Sequence, residues 1–220
     1  RGLPEAERAA TAERWMRRRA EELFDLTAAP LLRADLLRTG DEAWTLALVI
    51  HHIVIDGWGL DVLMSDLSAF YRAALRTPGP RPPTDAEAGL EPLAVSSAEA
   101  ARWQRAMLAG PRGAQLRSYW RQALHDASLT LSLPYDHERT APRSDDGGHV
   151  LVRLPRELTD AVEALARARS TTAFTVLLSA FGTQLCRLTG QSEVVIASNI
   201  ANRTRQEHEP LVGMFVNSMA

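Results

Sequence analysis

The apolar run Thr45-Leu46-Ala47-Leu48-Val49-Ile50 leads directly into His51-His52-Ile53-Val54-Ile55-Asp56-Gly57, and after Gly57 the pattern switches to a helical period. A short, nearly continuous apolar run rich in strand formers reads as a buried strand. Beyond the glycine, Leu60, Leu63, Met64, Leu67, Phe70, Tyr71, Ala74 and Leu75 fall on one stripe, the mark of an amphipathic helix. Asp61 is expected in the first turn of that helix, where a negative charge suits the dipole, and Pro78 is expected to stop it. Strand, loop and helix in this order are a common way to hold reactive side chains on rigid supports.

The loop is where the chemistry concentrates. If the strand continues through the histidine pair, successive side chains point to opposite faces, so one imidazole works and the other props it. Ile53, Val54 and Ile55 are β-branched and weigh against helix, Gly57 admits a close backbone approach, and Asp56 lies at a turn. Three readings compete for the pair. A buried structural histidine bonded to a carboxylate is one. A metal site is another, weakened because helix is disfavoured and no Cys or second His cluster lies nearby. General acid/base work leads, since imidazole changes charge near neutral pH.

Composition sets outer bounds. The 220 residues are 45% hydrophobic and 24% charged, ordinary for a soluble globular protein. A formal net charge of −2 gives no electrostatic reason to expect nucleic acid. The 25 basic residues are all Arg, and the Arg17-Arg18-Arg19 cluster, followed by Glu21-Glu22, reads as a solvated helix face. The lone Cys186 is expected in the core, which suits a reducing compartment. No apolar stretch approaches the roughly 20 residues of a membrane span and no signal peptide is recognisable, so a cytoplasmic protein is expected.

Along the chain, residues 4–26 read as helix, and residues 31–37 and 43–50 as two strands around a turn at Thr39-Gly40-Asp41. The Pro-rich stretch 77–92 is expected to be an irregular, mobile loop. Helices follow at 97–108 and 113–126, and breakers between Pro134 and Gly148 suggest a lobe boundary. Then come a strand at 150–154, an amphipathic helix at 155–169, a better buried helix at 171–188 ended by Gly190, and a strand at 193–200. His125, His137, His149 and His208 lie in polar segments and are assigned to the surface.

The His51–Gly57 segment fits the pattern HHxxxDG, and its setting adds to that match. Phe24-Asp25-Leu26 and Pro30-Leu31-Leu32-Arg33-Ala34 precede it; Tyr119-Trp120, Leu133-Pro134-Tyr135-Asp136, Ala201-Asn202-Arg203 and Gly213-Met214-Phe215-Val216-Asn217-Ser218 follow in order. Together these resemble the condensation domains of nonribosomal peptide synthetases, members of the chloramphenicol-acetyltransferase-like acyltransferases, over essentially the whole chain. The resemblance implies a two-lobed α/β sandwich, represented here in part. Residues 1–140 would be the remainder of the N-terminal lobe, 141–148 the linker, and 149–220 the first part of the C-terminal lobe. Complete members are longer. This chain begins without Met, lacks the family's N-terminal strand and arginine-bearing motif, and stops at Ala220. It is therefore expected to be the middle of a domain, with open strand edges that weaken folding alone.

By resemblance the reaction is amide-bond formation between aminoacyl and peptidyl thioesters carried on phosphopantetheine arms, with no cofactor bound by the domain itself and no metal. The implied partners are upstream and downstream peptidyl carrier proteins and neighbouring synthetase domains; neither nucleic acid nor membrane is implied. His52 would be the general base or amine-positioning residue, with His51 beside it. Asp56 would hold the loop through an arginine that the family carries in its N-terminal motif, which leaves Asp56 without its expected counter-ion here; Arg203 is the candidate substitute. Gly57 would offer an N–H or clearance, Trp58 and Asn217 would line the substrate channel, and Gly59 replaces a small hydroxyl residue that many members carry. An epimerization domain, a free-standing acyltransferase and a non-catalytic recruitment module share the fold. The intact histidine pair favours activity.

Overall fold

Strand β1 (Leu32–Arg38) and strand β2 (Trp44–Ile50) form an antiparallel hairpin in which Leu32 faces Ile50, Asp35 faces Ala47 and Arg38 faces Trp44. The turn is closed by the N–H groups of Thr39 and Gly40, which donate to the Ala43 carbonyl at 2.9 and 3.1 Å. The ladder runs one bond further, from the His51 N–H to the Leu31 carbonyl at 3.0 Å, so β1 fixes the entry to the histidine loop. Of β2 only Ala47 is buried, and Trp44 and Leu46 are exposed. The expectation of a fully buried strand is thus corrected: in a hairpin of two strands the sheet has few neighbours to cover both of its faces. The computed structural model describes residues 4–136 and 147–220.

Helix α1 (Glu5–Glu21) precedes the hairpin and packs on β2. Arg19 leaves it to bond Asp35 of β1, and Arg17 pairs with Glu13. After the histidine loop comes helix α2 (Gly57–Arg76), capped by Asp56 and ended at Thr77. Its acidic N-terminal group is Asp56, not Asp61, because the helix begins at Gly57 and Asp61 lies a full turn inside. The stretch 77–92, expected to be irregular, contains helix α3 (Asp85–Ala88). The missed signal is Thr84-x-x-Glu87, a capping box in which both reciprocal bonds form, followed by Gly89 at a φ of 74°. Helices α4 (Ser97–Ala109) and α5 (Pro111–Ala123) follow, the first opened by a second capping box between Ser96 and Glu99.

Beyond the undescribed segment, residues 150–154 pair with no strand among the described residues, and Val150, Leu151 and Val152 are 90%, 79% and 74% exposed. The expected strand is not formed: its alternation has no ladder partner. Helices α6 (Arg156–Ala168) and α7 (Ala173–Thr189) pack on each other, and Gly190 ends α7 at a φ of 69°. Contrary to expectation, α7 is not the better buried of the two: each buries one residue, Ala166 and Leu185, and Phe174 and Phe181 are exposed. Cys186 is half-buried rather than in the core. The strand expected at 193–200 shortens to β3 (Ser198–Ile200), which pairs with β4 (Asn217–Met219).

The chain divides into two compact units, residues 1–110 with 199–218, and residues 111–198 with 219–220. Segment 199–218 thus joins the unit that carries the histidines, and most of the linker expected at 141–148 lies outside the described residues. The core of the first unit is built of small side chains, Ala47, Ala69, Ala73 and Ala100, with Ile55 and Leu211. Leu211, 1% exposed, is the largest fully buried side chain among the described residues. Among the described residues no helix is long and apolar enough to cross a membrane.

Candidate functional site

The strand does not continue through the histidines. His51 is extended, and residues His52–Val54 make one 3₁₀ turn before Ile55 returns to extended backbone and is buried. Within the turn the Val54 N–H donates to the His51 carbonyl at 3.1 Å, and the Ile53 N–H donates to His51 Nδ1 at 3.1 Å. Capping overrides the β-branched preference for three residues, which is all that a single turn needs. The two imidazoles separate, by a turn rather than by pleat. His51 is half-buried with its ring edge-on to Phe24, the centroids 5.9 Å apart. His52 is exposed, and among the described residues its ring has no hydrogen bond.

Asp56 is 4% exposed and sits where four donors converge. Its Oδ1 accepts from the Gly59 N–H at 2.7 Å and from Arg203 Nη2 at 3.2 Å; its Oδ2 accepts from the N–H groups of Phe215 and Val216 at 2.8 and 3.0 Å. The Asp56 N–H completes the set by donating to the Gly213 carbonyl at 3.2 Å. Burial by itself opposes ionisation, but the N–H groups of Gly59, Phe215 and Val216 and the Arg203 guanidinium outweigh it and hold the carboxyl below its ordinary range. The side chains of Asp56 and Arg203 are 3% and 1% exposed, so this is a buried ion pair.

Arg203 has further duties. Its Nη1 donates to the carbonyls of His208 and Leu211, and its guanidinium stands 4.3 Å from the Phe215 ring centroid and 5.8 Å from that of Trp58. Trp58 is 44% exposed, and its Nε1 donates to the Glu209 carbonyl at 2.9 Å, tying the start of α2 to the 205–211 loop. A glycine at residue 59 permits this closeness. A Cβ on Gly59 would stand 3.1 Å from the Gly213 carbonyl oxygen and 3.2 Å from Asp56 Oδ1. The close approach expected at Gly57 is not formed, since open space stands where its Cβ would be, and Asn217 is exposed with its Oδ1 accepting the Ser218 N–H at 2.9 Å.

The sequence assigned His208 to the surface, and the structure corrects this. His208 is 4% exposed, stacked on Phe215 at 5.8 Å and edge-on to Trp103 at 5.3 Å. Its polar flanks, Glu207 and Glu209, concealed a residue that turns inward alone. His125 and His149 are exposed, and His137 lies outside the described residues. The structure thus brings Asp56, Gly57, Trp58 and Arg203 together at the N-terminus of α2, and adds the backbone of Gly213, Phe215 and Val216, residues of the Gly213–Ser218 motif whose backbone role the side chains do not announce. No cluster of three His, Cys, Asp or Glu suited to a metal ion occurs among the described residues.

Comparison with known proteins places these features. The family model described as a condensation domain matches residues 2–220. The chain is 39% identical over its whole length to phosphinothricin tripeptide synthetase PhsC of Streptomyces viridochromogenes, and 41% identical over 219 residues to chondramide synthase cmdD of Chondromyces crocatus. It spans 20% and 5% of those two proteins. The crystal structures of the first condensation domain of the CDA synthetase superpose on 96% of this chain and 44% of theirs, with a TM-score of 0.65 and 25% identity.

Proposed function

Since this chain belongs to the condensation-domain family, with its chloramphenicol-acetyltransferase-like α/β fold, we propose that it takes part in forming a peptide bond between two carrier-bound thioesters. The acceptor's α-amine attacks the donor's thioester carbonyl, the C–N bond forms, the C–S bond breaks, and the phosphopantetheine thiolate departs. His52 takes or relays the amine proton, which ends on the sulfur. Gly57 leaves room beside the reacting carbonyl, and Trp58 and Asn217 face the substrate arms. Upstream and downstream peptidyl carrier proteins deliver the two substrates.

The observation that carries this reading is the contrast within the loop. One imidazole is exposed and makes no hydrogen bond among the described residues, while the carboxylate four residues on is buried among four donors. A rigid base under a free imidazole is what proton transfer to a visiting substrate requires. The test is a single-turnover assay of the parent synthetase with both carrier proteins loaded, comparing wild type with His52→Ala. Peptide formation that falls sharply in the variant supports the assignment, and an unchanged rate removes it.

A further inference from the structure

His51 is held from three directions. Its N–H reaches the Leu31 carbonyl of the β1 entry, its ring lies edge-on to Phe24, and its Nδ1 accepts the Ile53 N–H at 3.1 Å. Phe24 is itself fixed, with the Arg33 guanidinium 3.9 Å from its centroid and bonded to the carbonyls of Glu22 and Leu23. The loop closed by the Nδ1 to Ile53 bond spans two residues and encloses His52 alone. An imidazole nitrogen that accepts an N–H carries no proton, so the neutral ring has its proton on Nε2.

We infer that His51 is the positioning residue for His52: its unprotonated Nδ1 sets the 3₁₀ turn and with it the direction in which the His52 imidazole is presented. This rests on the function proposed above and assigns the first histidine a specific atom and tautomer. The chemistry required at residue 51 is then an uncharged acceptor two bonds beyond Cβ, not an imidazole as such. Asn offers that: its Oδ1 stands as far along the side chain as Nδ1 does, and Asn is favoured as a cap of this kind. Leu matches the branching and offers no acceptor.

Two measurements on the full-length parent synthetase test it: single-turnover peptide formation and hydrogen exchange of the amides in residues 51–56. His51→Leu is expected to lose on the order of 10²-fold in kcat with KM unchanged, the scale of a small misplacement of a reacting group. It is also expected to exchange faster across 51–56. His51→Asn is expected to recover wild-type exchange protection and a rate within about tenfold of wild type. Should His51→Leu fail to fold, His51→Gln, whose acceptor stands one bond farther out, is the second loss variant. A wild-type rate in the loss variant, unaltered exchange there, or an Asn variant as slow as the Leu variant would each overturn the inference. If the wild-type protein makes no peptide, the proposed function fails, and the exchange measurement still decides whether Nδ1 holds the turn.

Discussion

Asp56 and Arg203 lie 147 residues apart in sequence and 3.2 Å apart in space, and this pair joins the histidine loop to the segment that returns near the end of the chain. Breaking a buried pair by removing one partner leaves the other charge uncompensated, at a cost of about 3–5 kcal/mol. Asp56→Asn is worse than a simple loss of charge, because the amide NH₂ would face donors on whichever side it turned. The expected outcome is a clear fall in Tm, at least as pronounced as any fall in rate. Unchanged stability with lost chemistry would make Asp56 a participant in the reaction instead. Arg203→Leu is expected to be comparably destabilising, and the double variant less so than the sum, with coupling of about 0.5–3 kcal/mol in a double-mutant cycle.

The low carboxyl pKa of Asp56 gives stability a pH dependence of defined sign. Between its depressed folded value and its ordinary unfolded value the native state holds fewer protons than the unfolded chain, so stability falls as pH falls. The contribution of Asp56 is fully present above the ordinary carboxylate range and is lost through the acid range below it. Thermal melts from pH 7 downward are expected to decline less steeply for Asp56→Asn than for wild type. Glu87, pulled down to about 2 by Arg81 and by the Thr84 cap, titrates in the same direction, and Arg81→Ala separates its part of the slope from that of Asp56.

For His52 the expected magnitude follows from what a positioned base supplies. General acid/base catalysis contributes about 10²–10⁴-fold, and under the proposed function the remaining acceleration would come from holding two tethered reactants together. His52→Ala is therefore expected to retain residual peptide formation above background. Because the ring is exposed and makes no hydrogen bond among the described residues, its removal is expected to leave stability within about 0.5 kcal/mol of wild type. A large loss of stability in this variant would mean that the imidazole supports the loop.

What the residues disclosed in advance was local. The hairpin, the strand-to-helix order around the histidines, and the ends of α2 and α7 follow from periodicity, Gly190 and the Pro-rich stretch after Thr77. Family resemblance put the usual partner of Asp56 in an N-terminal motif and left Arg203 as a substitute, and nothing in composition links residues 147 apart; only the structure shows that Arg203 fills the role. The donors from Phe215 and Val216 are backbone groups and leave no mark on side-chain identity. Residues 150–154 carry a sound strand pattern, but a pattern specifies a strand only where a partner completes the ladder. The Thr84 capping box was legible and was hidden by the prolines before it.

His208 offers a separate test of how the 203–216 segment is packed. Its imidazole lies between Trp103 and Phe215, and Arg205 and Arg203 stand 5.0 and 4.3 Å from those two ring centroids. Three rings flanked by two guanidinium groups leave little reason for a polar side chain in the middle, and no side-chain hydrogen bond to its imidazole nitrogens occurs among the described residues. Packing against Trp103 and Phe215 is then the contribution of His208 that substitution tests. His208→Leu preserves most of the volume and is expected to change stability by less than about 1.5 kcal/mol. His208→Ala opens a cavity beneath Phe215, whose N–H holds Asp56, and is expected to cost about 2–4 kcal/mol while weakening the Asp56–Arg203 coupling. Equal losses for Leu and Ala would show that the ring nitrogens matter, and that the segment is held by a polar contact to this histidine.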